Sequence, residues 1–141
     1  MLALALCAAI ICFLGIATSL NQTSKNLLNS GSVKGISAGI YWDSACTNAT
    51  SSINWGFLDP GSTKILKVFV RNEGNSPATL PKMLGNWTPS NASAYISVNW
   101  NYSGKILHVD QVIPVDLMLV VSSTISGITS FGFDMTITAT G

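Results

Sequence analysis

Near its carboxyl end the chain reads Ser130-Phe131-Gly132-Phe133-Asp134-Met135-Thr136-Ile137-Thr138-Ala139, with large apolar side chains alternating with small or polar ones. Successive side chains of a β-strand point to opposite faces, so this period of two predicts a strand with one buried face. The residues expected to face the core are Phe131, Phe133, Met135, Ile137 and Ala139.

The same alternation recurs upstream and predicts most of the other strands. It is clearest in residues 36–42, 66–70, 94–100 and 115–121, with shorter strands at 53–57 and 105–109 and an edge strand at 78–80. Turns are expected at Asp59-Pro60-Gly61 and at Asn72-Glu73-Gly74-Asn75, where we expect Gly74 to take a positive φ. Seven or eight short strands over about 110 residues predict a mainly β head domain, residues 31–141, with an immunoglobulin-like two-sheet sandwich.

The first 20 residues are a separate kind of sequence, because they carry no charge and are mostly Leu, Ile and Ala. A helix of this length reaches roughly 30 Å, the thickness of a bilayer core. A helix that is apolar on all sides needs lipid or protein around it. Three interpretations remain open: a cleaved secretory signal, a retained membrane anchor, or a helix packed against copies of itself inside a filament.

Helical spacing favours the filament interpretation, because Leu20, Ser24 and Leu27 continue the pattern beyond the apolar block and Gly31 is a suitable stop. We therefore predict one long hydrophobic helix over residues 1–30, preceding the head. Its assembly residues are expected to be Leu2, Leu4, Leu6, Ile10, Ile11, Phe13, Leu14, Ile16, Leu20, Leu27 and Leu28.

Charge is scarce in this chain. Seven Lys and Arg and six Asp and Glu give a net charge of +1, and charged residues make up 9% of the sequence, against roughly 25% in an ordinary soluble domain. So few cations exclude nucleic acid as a partner, and the shortage of charge excludes a coiled coil. Ser, Thr and Asn supply 41 of the 141 residues, so hydroxyl and amide groups must keep the surface hydrated.

Five Asn-x-Ser/Thr triplets are candidate sites for N-linked glycans, the one modification expected. A sequence rich in Ser, Thr and Asn also produces such triplets by chance. Asn48 and Asn91 lie in predicted loops and Asn101 on an outward strand face, so these three are favoured. Asn86 is weaker because Pro89 follows its triplet, and Asn21 belongs to the apolar segment.

Enzymatic chemistry is not expected, and neither is a metal or cofactor. His108 is the one histidine and lies in a predicted strand, and Glu73 is the one glutamate, so neither a catalytic triad nor a carboxylate pair can be assembled. Cys46 is interpreted as an unpaired small side chain. Trp42 and Trp100 are predicted to face inward and pack in the core rather than bind a sugar.

Several short motifs occur along the head: Tyr41-Trp42-Asp43, Cys46-Thr47-Asn48, Ile53-Asn54-Trp55-Gly56, Asp59-Pro60-Gly61-Ser62 and the Val70-to-Asn75 run, with Ile125-Ser126-Gly127-Ile128-Thr129 near the end. In these motifs the head resembles archaeal secreted immunoglobulin-like surface proteins. An apolar segment followed by a glycosylatable β head is similar to archaeal type IV pilins. That resemblance implies helices bundled in a filament core and heads exposed around it.

The resemblance implies a structural, pilin-like subunit of an extracellular archaeal filament at the cell surface, with copies of itself as partners, the membrane as its location before assembly, and no nucleic acid. One alternative is a membrane-anchored or secreted immunoglobulin-like module for adhesion or binding. Another is a donor-strand filament subunit, as in camelysin-like filaments and archaeal threads, in which a strand completes the neighbour's sheet. Residues 33–42 would suit that role better than residues 20–31.

Overall fold

A computed structural model describes residues 27–141 as two facing β-sheets of four strands each. In most of the strands apolar side chains alternate with polar ones, so each sheet has one buried face and one outer face. In chain order the elements are β1 (Leu27–Ile36), β2 (Ala38–Tyr41), β3 (Ser52–Leu58), β4 (Thr63–Asn72), β5 (Lys82–Thr88), a short 3₁₀ turn (Ser90–Ala94), β6 (Ile96–Trp100), β7 (Val112–Val121) and β8 (Ser130–Thr138).

The first and last strands meet inside one sheet. The strand order is β3-β1-β8-β5 in the first sheet and β2-β4-β7-β6 in the second. Strand β1 runs parallel to β8 from Leu28 opposite Ser130 to Ile36 opposite Thr138, and antiparallel to β3. This order differs from that of an immunoglobulin constant domain, which divides its strands into ABED and CFG sheets.

The core lies between the sheets and confirms the alternation in the longest strands. Phe131, Phe133, Met135 and Ile137 of β8 are buried, and β7 contributes its own inward row. Buried side chains exposed by less than 2% are Trp55, Val68, Val70, Leu80, Leu107, Val115, Leu117, Leu119, Val121, Met135 and Ile137. The two outer faces are therefore set by the residues of opposite parity.

The chain passes from the first sheet to the second at Ser37, between β1 and β2. Ser37 has a φ of 53°, and its carbonyl accepts a hydrogen bond from the Glu73 amide at 3.0 Å. This switch turns Ile36 outward, with 46% exposure, and keeps Ala38 and Ile40 inside. The prediction of one continuous strand over residues 36–42 is wrong for this reason, and Trp42 lies beyond β2 with 37% exposure.

The predicted long helix over residues 1–30 is wrong where the structure describes the chain. Residues 27–30 belong to β1, and Gly31, the expected helix stop, lies within the same strand. Backbone pairing with β3 and β8 outweighs the weak helical spacing of Leu27 and Leu28, because long-range pairing overrides local propensity. Residues 1–26 lie outside the described part of the chain.

Within residues 27–141 the short 3₁₀ turn is the only helical element, and none of these residues forms a helix long and apolar enough to cross a bilayer. The strand predicted at 105–109 is reduced to a bridge between Leu107 and Ala78. The turn at Asn72 is present, but Gly74 does not take the positive φ that was predicted for it. The Asn72 side chain shapes this turn instead, since its Oδ1 accepts the Gly74 amide at 3.0 Å.

Candidate functional site

The two outer faces of the sandwich differ in chemistry. The face of the first sheet is lined mainly by hydroxyl, amide and charged groups, from Ser30, Ser32, Lys34, Ser52, Asn54, Ser130, Asp134 and Thr136. Two of its exposed large apolar side chains, Phe57 and Met83, are separated from each other because they lie on the two edge strands, β3 and β5. The face of the second sheet carries apolar side chains at most outward positions of β4 and β7, namely Ile65, Phe69, Val112, Pro114, Met118 and Val120. The second sheet is therefore the candidate surface for contact with another apolar chain.

Ile65 and Met118 form the centre of this apolar surface. They are directly opposite one another in the β4–β7 pairing and are 56% and 37% exposed. Directly opposite residues in antiparallel strands have Cβ atoms about 5 Å apart, so the two side chains make one continuous patch. Exposed apolar side chains that cluster in this way mark interaction sites more often than isolated ones.

Two rows across the second sheet contain no charged residue. One row joins Thr63, Val120 and Ser97, and the next joins Ile65, Met118 and Asn99. We call these six residues the uncharged rows.

A charged row bounds this surface on one side. Lys67 lies opposite Asp116, whose carboxylate accepts a hydrogen bond from Asn101 Nδ2 at 3.2 Å. The Asp116 amide in turn donates to Asn101 Oδ1 at 2.9 Å. Beyond it, Tyr41, Phe69 and Pro114 form a further row.

Beside Val120 the surface is concave. A cavity of about 210 Å³ is lined by Ser93, Ala94, Tyr95, Ile96, Ser97, Val120 and Ser122. Ala94 belongs to the 3₁₀ turn and Ile96 begins β6, so the cavity lies where the edge of the sheet meets this turn.

The loop after β2 holds Asn48 in an exposed position. The Asp43 carboxylate accepts the Asn48 amide at 2.9 Å, the Thr47 amide at 3.0 Å and the Thr47 hydroxyl. These bonds, the Thr47 hydroxyl first, lower the pKa of Asp43 below its usual value of 3.8, so the loop is held by an ionised carboxylate at neutral pH. Within the described residues, no hydrogen bond engages Asn48 Nδ2.

The other predicted glycosylation sites fall into two groups. Asn91 is exposed in the 3₁₀ turn, and the described part of the chain offers its Nδ2 no hydrogen-bond partner. Asn86 and Asn101 are exposed, but their Nδ2 atoms donate to carboxylates, Asn86 to Asp134 at 2.7 Å and Asn101 to Asp116. Bonds from the Ser32 hydroxyl and Asn86 lower the pKa of Asp134. Asn21 lies outside the described residues.

Most predicted assembly residues, from Leu2 to Leu20, also lie outside residues 27–141. Leu27 and Leu28 are the exceptions, and both are part of β1. Ile65 and Met118 are not among the candidate residues predicted from the sequence. The signal was present, because strands whose inward residues are Leu66, Val68, Leu117 and Leu119 must turn Ile65 and Met118 outward.

The residues considered for chemistry include His108 and Cys46, which lie in two different loops. His108 is exposed in a loop where its amide donates to Gln111 Oε1 at 2.8 Å. Cys46 is a free thiol, half-buried, in the Asp43 loop. Among residues 27–141, no group of three His, Cys, Asp or Glu side chains is placed to hold a metal ion.

Three of the four tryptophans pack in or against the core. Trp55 is 1% exposed, and Trp87 stacks on Phe133 with ring centroids 4.7 Å apart. Trp100 is half-buried against Tyr102, with Lys82 Nζ 6.0 Å from its ring centroid. Trp42 does not face the core, so the prediction that it packs inside is wrong.

Comparison with known proteins adds no family to this picture. No protein-family model matches the chain, and no curated protein matches it significantly. The resemblance to archaeal surface proteins and pilins therefore remains a prediction from the motifs.

Proposed function

We propose that this protein is a structural subunit of an extracellular filament at the archaeal cell surface, formed by copies of the same chain. In this assembly the uncharged residues 1–20 are withdrawn from water among neighbouring copies, and the β head faces the solvent. The observation that carries the proposal is the contrast between these 20 uncharged residues and a head with a hydroxyl- and amide-rich surface. Burial of apolar surface drives such association at about 25 cal/mol per Å².

The apolar face of the second sheet supports the proposal. When the head is alone in water, Ile65 and Met118 leave apolar surface exposed on its outer face. In a polymer the same pair can be covered by another chain. The opposite face, with its Ser, Thr and Asn side chains, suits the solvent side of a filament.

A second candidate is a cell-surface binding module. It is favoured by a trough of about 550 Å³ on the first sheet, whose lining includes Ile53, Pro89 and Phe131 as well as Ser30, Ser52, Asn54 and Thr88. A concave surface that combines apolar area with a few polar groups suits a ligand more than a filament contact. Electron microscopy of the native cell surface separates the two, because only the filament proposal expects a regular polymer.

Removal of residues 1–20 tests the proposed function. We expect the shortened chain to stay monomeric, because the apolar segment that drives association is gone, while the full chain forms filaments visible by electron microscopy. Ile11→Asp should also block assembly, since a carboxylate cannot be buried without a partner. Ile106→Asp is the matched control, because Ile106 is 62% exposed and a charge there stays in water. Filaments from the shortened chain would refute the proposal.

Glycan occupancy is predicted to follow the freedom of each Asn side chain. We expect Asn48 and Asn91 of the native protein to carry glycan, because their amide nitrogens are exposed and not bonded to a described group. Asn86 and Asn101 should be largely unmodified, since their amides bind Asp134 and Asp116. Peptide mass spectrometry before and after Asn48→Gln and Asn91→Gln measures this, and full occupancy at Asn86 with none at Asn48 would contradict it.

A further inference from the structure

We propose that the uncharged rows of the second sheet receive residues 1–20 of a neighbouring copy, so that each head covers the apolar segment of another subunit. This inference rests on the proposed function and identifies the head surface that assembly covers.

Exposure and adjacency together identify the surface. Ile65 and Met118 are the exposed large hydrophobic residues of the second sheet, and they adjoin each other across β4 and β7. Thr63 and Val120 extend the patch by one row. A segment made mostly of Leu, Ile and Ala finds there an apolar surface that is otherwise in contact with water.

The distribution of charge favours residues 1–20, rather than a second head, as the occupant of the uncharged rows. The six residues of the uncharged rows and residues 1–20 contain no charged side chain, so their contact removes no charge from water. Stacking two whole sheet faces would instead cover Lys67, Asp116 and Arg71, which lie on the same face. An uncharged segment confined to the two rows avoids that cost.

A cavity beside the uncharged rows has room for an apolar side chain. The cavity of about 210 Å³ beside Val120 opens next to the uncharged rows and is lined partly by Ala94, Tyr95 and Ile96. A Leu, Ile or Phe side chain from the segment fits such a cavity. Residues 1–20 provide these side chains at frequent intervals.

Leu27, the first described residue, lies at the same end of the sandwich as the first of the uncharged rows. Leu27 pairs with Leu58, and the turn that follows β3 leads directly to Thr63. The Val121 amide donates to the Ser62 carbonyl in this turn at 2.9 Å, which brings the end of β7 there too. The first of the uncharged rows therefore lies at the end of the sandwich where the described chain begins, within reach of the segments of neighbouring copies that meet there.

Photo-crosslinking of assembled full-length protein tests the contact directly. A benzoylphenylalanine is placed at position 65 of an isotopically heavy chain, which is assembled with an equal amount of unmodified light chain. We expect cross-linked peptides that join heavy position 65 to residues 1–20 of light chains. The same probe at Asn54, on the first sheet, is the control and should not reach this segment. Cross-links confined to heavy chains, to other head surfaces or to lipid would overturn the inference.

A pair of substitutions separates this inference from the proposed function. Ile65→Asp with Met118→Asp should lower filament yield by about tenfold or more, with the buried Trp55 still giving the fluorescence of a folded head. Met83→Asp, at a 72% exposed position of β5, is the control. If the double variant assembles normally while the chain without residues 1–20 does not, the docking surface is wrong and the proposed function stands. If the shortened chain also assembles, both fail.

Discussion

Gly35→Ala is expected to destabilise the head by about 3 kcal/mol or more, because Gly35 has the least room for a Cβ of any glycine in residues 27–141. An added Cβ at Gly35 would lie 1.7 Å from the Ala38 carbonyl oxygen and 2.7 Å from its carbon. Both atoms are backbone, so no side-chain rotation can relieve the clash. The close approach exists because the chain turns back at Ser37 when it passes between the sheets.

The clash can be relieved only if the backbone moves where the chain crosses from the first sheet to the second at Ser37. Gly35 is paired with Ile137 of β8 on one side of the switch, and Ala38 is paired with Asn72 of β4 on the other. Moving either residue disturbs one of the two sheets. The substitution therefore disturbs the pairing of β1 with β8 or of β2 with β4, and its effect is not confined to a loop.

Gly85→Ala is the matched control for this prediction. Gly85 also lies in a strand of the first sheet, but no heavy atom lies within 4 Å of the Cβ position. Alanine there should be neutral or stabilising by about 0.5 kcal/mol, because it reduces the freedom of the unfolded chain. Guanidinium unfolding followed by tryptophan fluorescence measures both variants, and equal stability of the two would refute the account of the switch.

Asn72→Leu is expected to cost about 3 kcal/mol or more, because Asn72 is a fully buried polar side chain that holds two loops. Its Nδ2 donates to the Ser76 carbonyl at 2.9 Å and to the Leu107 carbonyl at 3.1 Å, and its Oδ1 accepts the Gly74 amide. Leucine has the same branching at Cγ but a larger volume, and it satisfies none of these groups. The substitution thus leaves polar backbone atoms without partners at a site closed to water.

The position of Asn75 in the same loop provides a control. Asn75 is exposed, so Asn75→Leu should change the free energy of unfolding by less than about 0.5 kcal/mol. Hydrogen exchange gives a second measurement, because the Leu107 amide donates to the Ala78 carbonyl at 2.8 Å and should lose protection in Asn72→Leu. Unchanged protection at Leu107 together with wild-type stability would contradict this role of Asn72.

Strands with regular alternation were predictable from the sequence alone. Strands β4, β7 and β8 bury the residues that their period of two predicts, and the turn at Asp59-Pro60-Gly61 is present, with a φ of 77° at Gly61. In each case the apolar face is long enough to define one register. Local sequence is then sufficient to place the strand and its inward side chains.

Other features depended on contacts that local sequence does not contain. Strand β5 was missed because Met83 faces solvent and the register shifts between Gly85 and Thr88, where Asn86 takes a φ of 52°. The parallel pairing of β1 with β8 joins residues about 100 positions apart, and it converts residues 27–30 from an expected helix to a strand. Such pairing outweighs a short helical spacing.

The candidate surface was predictable only in part. The alternation in β4 and β7 shows which of their residues face inward, so the outward position of Ile65 follows from the sequence. The alignment of Ile65 with Met118 did not, because it depends on the register of two strands separated by a long connection. The bonds that engage Asn86 and Asn101 likewise needed the structure, since their carboxylate partners are distant in sequence.

The central claim is that residues 1–20 are retained in the assembled protein and sheltered by other copies. The most direct measurement is mass spectrometry of the amino-terminal peptide of the native protein, purified from filaments on the cell surface. The account predicts a peptide that contains the apolar segment. A native protein that begins near Leu20 and is recovered as single heads in solution would contradict it.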